Sequence, residues 1–396
     1  MGSVLLVTIP PFAGGVPYKT RILARYLRDL GHRVTVAYYA TISDHPDLVA
    51  RAWQIPLGRR PGIAKGQCFD DFPSVAIGCA LPELEFTYYR PSAHWRRVIA
   101  AHDRHIAVGG TILVSNPLSL MAIPHLVWCA STMIEDRIDR RRAMALGRRI
   151  IDGMVIGPVQ AKMEKRILAG CGHFMAVSDY TRTTLLAVGG RQDHFTRLPI
   201  PIDMADYRPP VTAAKSGIIG FAGRTGDPRK NMALLFAAVS ILGRKGRHVE
   251  LHLTGESSPH LERLAVRHDI SGRLQWRGWF DPEQLPDFFQ SLDVFAIASF
   301  QEGLNIAGLQ AMSCGVPVVS TRCGGPQDYV IDGATGYLCD FTATGLADKL
   351  DKIIADRPLR NRLGEAARNK VADDFSFDVF GAQLSSAWHT VWQEQP

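Results

Sequence analysis

Two polar side chains, Glu302 and Gln310, stand eight residues apart between two apolar runs, residues 293–298 and 316–320. The pattern predicts a strand, a glycine-containing turn, a helix and a second strand. In such a unit a ligand binds where the carboxyl end of the strand meets the amino end of the helix. Eight residues span about two helical turns, so both side chains can contact one ligand at different heights. The arrangement favours a ligand with many hydroxyl groups and an anionic centre, such as a nucleotide sugar.

A second motif, residues 220–231, combines glycines with three basic side chains, Arg224, Arg229 and Lys230. It follows an apolar run and precedes a predicted helix. Guanidinium and ammonium groups beside a helix amino end are suited to binding a diphosphate. A solvated basic turn is the alternative for this motif taken alone. The strand–turn–helix context and the Glu302 segment downstream favour phosphate binding.

A third motif is the loop at residues 10–16, which places Gly14 and Gly15 before a predicted helix. Glycines there let the backbone approach a ligand and leave helix N–H groups free. A plain tight turn is the alternative. We expect the loop to contact the ligand from the other domain.

Two series of alternating strands and helices must position these motifs. The predicted strands are residues 4–9, 33–39, 111–115, 126–130, 173–177, 217–221, 249–254, 274–277, 293–298 and 316–320. Prolines cluster between the two series, near residues 198–210, as at a domain boundary. We therefore predict an α/β protein with two doubly wound parallel sheets facing each other across a cleft.

The expected domains are 1–200, an acceptor-side domain, and 201–376, a donor domain, with a final helix at 377–396 that packs back on the first. Residues 41–90 show no clear pattern, and we expect them to carry specificity loops.

Composition narrows the function classes. The chain has 396 residues and a net charge of +7, which favours an anionic partner. Its seven cysteines are scattered singly, as in a reduced, cytoplasmic protein. No apolar run of about 18 residues predicts a transmembrane helix, and the amino end reads as a first core strand, not a signal peptide. Nucleic-acid binding is not expected, because no recognisable module interleaves basic and aromatic residues.

The motifs together resemble the retaining GT-B glycosyltransferases of family 4. The resemblance covers residues 217–340 specifically and residues 1–200 more weakly. It implies that Arg224 and Lys230 bind the donor diphosphate, that Glu302 contacts sugar hydroxyls and that Gln310 binds the ribose. The full expected set has Arg224, Lys230 and Glu302 as catalytic residues and a group of donor-binding residues: Gly14, Gly15, Gly223, Arg229, Gly303, Leu304, Asn305, Ile306 and Gln310.

The chain departs from the family pattern in two places. Gln310 stands where relatives carry a second glutamate, and its neutral oxygen accepts a weaker hydrogen bond than a carboxylate. We expect lower donor affinity. Where many relatives have a histidine, this chain has Ala130, followed by Ser131 and Thr132, which we place on the acceptor side. His125, at the strand start, is predicted to be structural.

The resemblance implies a retaining, front-face reaction in which the departing phosphate takes the acceptor proton. Arg224 and Lys230 would stabilise the charge that grows on the diphosphate. No Asp-x-Asp triplet occurs, so we expect no metal requirement. We also expect no cofactor, with a UDP- or GDP-sugar as co-substrate and a glycan, lipid-linked or small-molecule acceptor.

A basic stretch, residues 137–166, carries apolar side chains between its arginines and lysines. A solvated helix face is one interpretation. The other is a helix that rests on anionic lipid, which would make a cytoplasmic enzyme peripheral on the inner face of the membrane.

Two other functions remain open from the sequence. One is a different GT-B enzyme, a nucleotide-sugar epimerase or a phosphorylase. The other is a catalytically impaired GT-B protein that binds sugars or partners, suggested by Gln310 and the missing histidine.

Overall fold

The apolar runs form two separate sheets in the computed structural model, which describes residues 2–12, 14–69, 71–210 and 217–396, without the side chains of 139, 140, 142 and 143. The chain divides into two compact units, Met1–Leu198 with Ala382–Pro396, and Pro199–Gly381. Each unit has its own sheet and its own core. The α/β class with two Rossmann-like domains is confirmed.

The first unit is built on an eight-stranded sheet. Its strands are β1 (Ser3–Thr8), β2 (Arg33–Tyr39), β3 (Ile63–Cys68), β4 (Phe72–Ile77), β5 (Arg104–Val108), β6 (His125–Cys129), β7 (Gly172–Ala176) and β8 (Phe195–Arg197). The spatial order is β3-β4-β2-β1-β5-β6-β7-β8. All neighbouring pairs are parallel except β3 with β4. The strands β1, β6 and β7 are buried along their whole length.

The helices of the first unit are α1 (Gly15–Asp29), α2 (Ala93–Ala100), α3 (Asn116–Leu120), α4 (Met133–Ala143), α5 (Leu146–Ile151), α6 (Gly157–Leu168) and α7 (Asp179–Ala187). A single π-helical turn, Asp152–Ile156, joins α5 to α6. Thr132 caps α4 through a capping box with Glu135, and Ser178 caps α7, as serine and threonine commonly do.

The second unit has a six-stranded, wholly parallel sheet in the order β11-β10-β9-β12-β13-β14. Its strands are β9 (Ile218–Phe221), β10 (Glu250–Leu253), β11 (Leu274–Trp276), β12 (Val294–Ile297), β13 (Val318–Thr321) and β14 (Gly336–Cys339). Its helices are α8 (Met232–Arg244), α9 (Pro259–Arg267), α10 (Leu285–Gln290), α11 (Ile306–Ser313), α12 (Ala343–Ala355) and α13 (Arg357–Asp374).

The last helix, α14 (Phe377–Trp392), begins in the second unit and ends in the first. Its buried Trp388 packs its ring 5.3 Å from the His32 ring. Arg104 and Glu394 form an ion pair at 2.7 Å between this terminal segment and β5.

One prediction about the first unit was wrong. Residues 111–115 form no strand: Ile112–Ser115 is a buried 3₁₀ turn, and β5 lies just upstream. Short apolar runs do not distinguish a strand from a buried helical turn. Within residues 41–90, where the sequence shows no clear pattern, β3 and β4 form an antiparallel hairpin. Its outer strand is largely exposed and therefore lacks the apolar pattern of a core strand.

No helix within the described ranges combines the length and the apolar content needed to cross a membrane.

Candidate functional site

The predicted strand–turn–helix of the second unit is present as β12, the loop 298–305 and α11. Glu302 lies in that loop, and its backbone is held on both sides. Its N–H donates to the Cys323 carbonyl and its own carbonyl accepts from Gly325, each at 2.8 Å. The loop is therefore fixed at the carboxyl ends of β12 and β13, where a parallel sheet binds ligands.

The Glu302 carboxylate is paired with Lys230, which arrives from the other predicted motif. Lys230 Nζ lies 2.7 Å from Glu302 Oε1, and the Ser299 hydroxyl donates to the same oxygen at 2.5 Å. Both charged side chains are mostly buried, at 16% and 12% exposure. Among the described residues, Glu302 Oε2 has no hydrogen-bond partner. One carboxylate oxygen is thus fixed by the protein, and the other is open to a ligand hydroxyl.

Two glycines make this packing possible. A Cβ on Gly325 would lie 2.2 Å from the Gly303 carbonyl oxygen and 2.6 Å from the Leu304 Cα. A Cβ on Gly308, in α11, would lie 2.4 Å from the Tyr329 hydroxyl. A side chain at Gly325 would displace the loop that carries Glu302, and one at Gly308 would displace Tyr329.

Asn305 starts α11 from a left-handed conformation, with φ of 67°. Its side chain accepts a hydrogen bond from the Gly308 N–H at 3.0 Å, and its carbonyl accepts from the Tyr329 hydroxyl at 3.1 Å. The first N–H groups of a helix have no acceptor within the helix. The turn 303–306 therefore presents the positive end of α11 beside Glu302, where an anionic group is stabilised.

The three basic residues of the second motif have three different environments. Lys230 is held by Glu302. Arg229 is bound to Asp227, with Nη2 at 2.8 Å from Oδ2 and Nε at 3.1 Å from Oδ1. Arg224 is 66% exposed and lies 3.6 Å from the same carboxylate. The motif therefore offers one buried and one exposed cation, while the third supports the turn.

Asp227, which the sequence analysis did not single out, organises this turn. Burial raises the pKa of its carboxyl, but the hydrogen bond and the charge of Arg229 outweigh burial, so the pKa lies below its ordinary value. Its side chain also accepts from the Arg229 N–H at the start of the 3₁₀ turn Pro228–Lys230. Gly223 has φ of 148°, and a Cβ there would come within 3.5 Å of Lys230. The turn thus fixes the backbone from which Lys230 projects.

Gln310 is buried on α11, and its side chain forms no hydrogen bond with Glu302. Its Nε2 donates to the Tyr207 hydroxyl at 2.8 Å, and the described residues supply no partner for its Oε1. The adjacent Ser313 and Arg368 both donate to the Tyr207 carbonyl, at 2.6 and 2.9 Å. Tyr207 was missed because it lies in the proline-rich segment that the sequence showed only as a boundary.

In the first unit, Gly14 and Gly15 precede and begin α1 as predicted. Gly14 has φ of 109°, and a Cβ there would meet nothing within 4 Å. The backbone is thus open to solvent at the helix amino end. The predicted loop also includes Ala13, which lies outside the described residues.

Lys19, in the second turn of α1, is a buried cation that the sequence analysis missed. Its Nζ donates to the carbonyls of Gly109 and Trp128 at 2.9 and 3.0 Å and lies 5.1 Å from the centre of the Trp128 ring. Burial lowers its pKa to about 7. The lysine joins α1 to the carboxyl ends of β5 and β6. A lysine inside an amphipathic helix gives no sequence signal for this role.

Ser131 and Thr132 use their hydroxyls locally. Ser131 donates to the Gly110 carbonyl at 3.3 Å, and Thr132 exchanges hydrogen bonds with Glu135 in the α4 cap. Both residues are buried. His125 is fully buried between the Ile123 carbonyl and Ser119, and burial lowers its pKa to about 4, consistent with its predicted structural role.

Within the part of the chain that the structure describes, no three His, Cys, Asp or Glu side chains come together in a way that could hold a metal ion. Cys323 lies beside Glu302, but burial raises its pKa to about 12. Its thiol is therefore neutral and is no nucleophile.

Comparison with known proteins agrees with this geometry. Residues 205–370, which hold Lys230, Glu302 and Gln310, match the family model of the glycosyl transferases group 1. The match is confined to residues 205–370, which lie in the second unit and include its six-stranded sheet.

Two relatives illustrate the similarity of this chain to proteins named as glycosyltransferases. It is 35% identical to the lipopolysaccharide core biosynthesis glycosyltransferase LpsE of Rhizobium meliloti, over 42% of this chain and 47% of that protein. It is 26% identical to a GDP-mannose-dependent α-(1-6)-phosphatidylinositol monomannoside mannosyltransferase of Mycobacterium tuberculosis, over 97% of each chain. The alignment with LpsE thus spans about half of that relative.

Among solved structures, Anabaena HepE in complex with UDP-glucose has a TM-score of 0.73 at 16% identity, covering 98% of this chain and all of that one. The likeness extends over both units and identifies the fold as GT-B.

Proposed function

We propose that the enzyme transfers a sugar from a nucleoside diphosphate sugar to a glycan, a lipid-linked saccharide or a small molecule. The observation that carries the proposal is the Lys230–Glu302 pair at 2.7 Å on a rigid loop beside the amino end of α11. It joins a cation suited to phosphate with a carboxylate whose second oxygen is open to a sugar hydroxyl.

Each residue then has a role. Lys230 and the exposed Arg224 stabilise the negative charge that develops on the diphosphate as the bond to the sugar breaks. The amides of the turn 303–306 support the same phosphates. Glu302 orients the sugar, and Gln310 accepts a hydrogen bond from the ribose through Oε1. Arg229 acts indirectly by holding the turn through Asp227.

We propose retention of configuration by a front-face reaction. The leaving phosphate accepts the proton of the attacking hydroxyl on the face from which it departs, so the protein needs no base opposite to it. The Lys230 and Arg224 cations provide the charge stabilisation that a metal would otherwise supply, so we propose metal-independent transfer without a cofactor. Ser131 and Thr132 remain our candidates for the acceptor side, through their backbone more than their hydroxyls.

The donor base stays open between uracil and guanine. The mycobacterial relative is named for GDP-mannose and the cyanobacterial structure contains UDP-glucose. We place the enzyme in the cytoplasm, free or peripheral on a membrane.

The test is a panel of UDP-, GDP- and ADP-sugars, first by thermal shift and then by transfer. A diphosphate present at 100 times its Kd stabilises the native state by about 2.7 kcal/mol, so the matching nucleotide should raise Tm most. The product of the preferred donor should keep the donor's anomeric configuration by NMR and should form equally in EDTA. Complete loss of transfer in EDTA would contradict the metal-independent mechanism.

The two alternatives give different outcomes on the same panel. An impaired sugar-binding protein would show the thermal shift without hydrolysis or transfer. An epimerase would convert the nucleotide sugar to its epimer without a glycosylated acceptor.

A further inference from the structure

Exposed apolar side chains are concentrated in one segment of the first unit. Of eighteen exposed large apolar residues in the described chain, seven lie between residues 134 and 155. They are Ile134, Ile138, Leu146, Ile150, Ile151, Met154 and Val155. Leu146 and Met154 are 73% and 76% exposed. Scattered exposed apolar residues are ordinary, but a concentrated patch marks an interaction surface.

The segment is held in place by buried polar contacts, so its exposed face is part of the folded structure. Asp152, 1% exposed, forms ion pairs with Arg137 and with Arg141, the latter at 3.3 Å. Arg137 also donates to Gln160 on α6. These contacts join α4, the π-helical turn and α6 on their inner side. The seven apolar side chains stay exposed although the backbone that carries them is held in this way.

A cavity of about 490 Å³ opens in the same region. Its walls combine the apolar groups Met133, Ile134 and Ile138 with the arginines Arg137, Arg141 and Arg149 and with the Asp152 carboxylate that pairs with Arg137 and Arg141. Apolar walls beside guanidinium groups suit an amphiphilic anion such as a phospholipid. Its acyl chains can contact the apolar side chains, and its phosphate can contact the arginines.

The charge of the segment matches the same partner. Residues 133–166 contain nine Arg and Lys against five Asp and Glu, a net +4 out of +7 for the whole chain. Arg141 and Arg148 remain 45% and 35% exposed beside the apolar side chains, although they also pair with Asp152 and Glu85. Amphipathic helical segments of this composition lie in the interface of anionic bilayers, with the apolar face in the acyl boundary and the basic groups at the headgroups.

We propose that residues 133–166 form a docking face for the surface of an anionic phospholipid bilayer. Leu146, Ile150 and Met154 enter the boundary of the acyl chains, and the exposed arginines contact lipid phosphates. The buried ion pairs of Asp152 with Arg137 and Arg141 hold this face in place in the absence of a membrane. The inference does not depend on the identity of the donor or on the transfer mechanism.

The test is co-sedimentation with two kinds of vesicle, phosphatidylcholine alone and phosphatidylcholine with phosphatidylglycerol. The wild-type protein should sediment with the anionic vesicles, and salt should weaken its binding. The double variant Leu146→Glu/Met154→Glu should bind the anionic vesicles at least tenfold more weakly. Both positions are exposed, so the variant should keep the wild-type Tm and the wild-type thermal shift with the preferred nucleotide.

Two control variants carry the same kind of change elsewhere. Leu57→Glu alters a leucine that is 76% exposed in the same unit, and Val266→Glu alters a valine that is 71% exposed on α9. Both should bind anionic vesicles as the wild type does. Equal sedimentation with both vesicle types, no sedimentation, or unchanged binding by the Leu146/Met154 variant would overturn the proposal. So would a concentration-dependent dimer that the double variant abolishes, since the face would then bind a second copy of the chain.

Discussion

The carboxyl edges of the two sheets are built from different chemistry. In the second unit the edge presents side chains: Lys230 and Glu302 are paired, and one oxygen of Glu302 is left for a ligand. In the first unit the edge consists of backbone carbonyls, hydroxyls that cap helices, and the buried Lys19, which donates only to carbonyls among the described residues. The same architecture thus carries the proposed site of sugar transfer on one sheet and, among the described residues, mainly structural polar contacts on the other.

The difference teaches where substitutions should matter for chemistry and where they should matter for stability. In the second unit, removal of a charge removes a ligand contact. In the first unit, it changes the cost of burying a polar group. The following experiments test that division, beginning with the largest expected effect.

Replacement of Lys230 by alanine should lower kcat/KM about 10²- to 10³-fold, the size of effect seen when a group that stabilises transition-state charge is lost. Glu302→Ala should also reduce transfer strongly. Steady-state kinetics with the preferred donor measures both.

Lys245→Ala is the matched control for Lys230, because Lys245 also forms a 2.7 Å ion pair, with Asp348, but on the exposed surface. It should leave kcat/KM unchanged. Wild-type activity in both Lys230→Ala and Glu302→Ala would refute the assignment of the site.

A methyl group on Gly325 should destabilise the second unit. Its Cβ would lie 2.2 Å from the Gly303 carbonyl oxygen, and such overpacking costs about 1–3 kcal/mol. We expect Tm to fall by several degrees and the donor-induced thermal shift to shrink, since the Glu302 loop moves. Gly272→Ala, where a Cβ meets nothing within 4 Å, should change Tm little. An unchanged Tm in Gly325→Ala would show that the loop is less constrained than its packing indicates.

Lys19 should make the free energy of unfolding depend on pH. Burial lowers its pKa to about 7 in the native state, from an ordinary value of 10.5 that we take for the unfolded chain. Between these values the unfolded chain binds more protons than the native one, so stability rises with pH. The rise from pH 7 to pH 9 amounts to about 2 kcal/mol. Below pH 7 both states are charged and the contribution levels off.

Lys19→Met should abolish this rise. Urea unfolding of the wild type and the variant at both pH values measures it, and the difference between the two proteins cancels the titration of other groups. Parallel pH dependence in the two proteins would contradict the role of Lys19.

The smallest effect is expected at Gln310. A glutamate there would accept from Tyr207 with one oxygen and offer a charged oxygen to the ribose, which strengthens donor binding by roughly three- to tenfold. Titration of the nucleoside diphosphate measures it, and a 2′-deoxyribose analogue is the matched ligand. Tyr207→Phe in the wild-type background should weaken binding, because Gln310 loses its fixed orientation. Equal gains by Gln310→Glu for both sugars would show that the residue does not contact the ribose.

Much of the fold could be read from the sequence because burial leaves a local pattern. The strands at Arg33–Tyr39 and His125–Cys129, and the helix at Phe377–Trp392, were predicted nearly residue for residue. The hairpin of β3 and β4 could not be predicted from the sequence, since an exposed edge strand lacks the pattern that burial leaves. The 3₁₀ turn at Ile112–Ser115 was mistaken for a strand because both are short, apolar and buried.

The residues of the candidate site also fall into those that could be predicted from the sequence and those that could not. The positions of Lys230, Glu302 and Gln310 followed from motifs in which residue type and spacing are local. Ser299, Tyr207 and Asp227, which contact Glu302, Gln310 and Arg229 respectively, did not stand out. Serine, aspartate and tyrosine are ordinary surface residues until the fold gives them a neighbour.

The sequence by itself determined that the chain has two α/β units, that its second unit carries a sugar-nucleotide motif and that its basic segment is rich in apolar residues. Only the tertiary structure decided that Lys230 pairs with Glu302 across 72 positions, that Arg229 is occupied by Asp227, that Lys19 is buried and that the apolar residues 134–155 face outward. The physical reason is that charge pairing and burial depend on distances between groups that are remote along the chain. Local periodicity records only which side of an element is apolar.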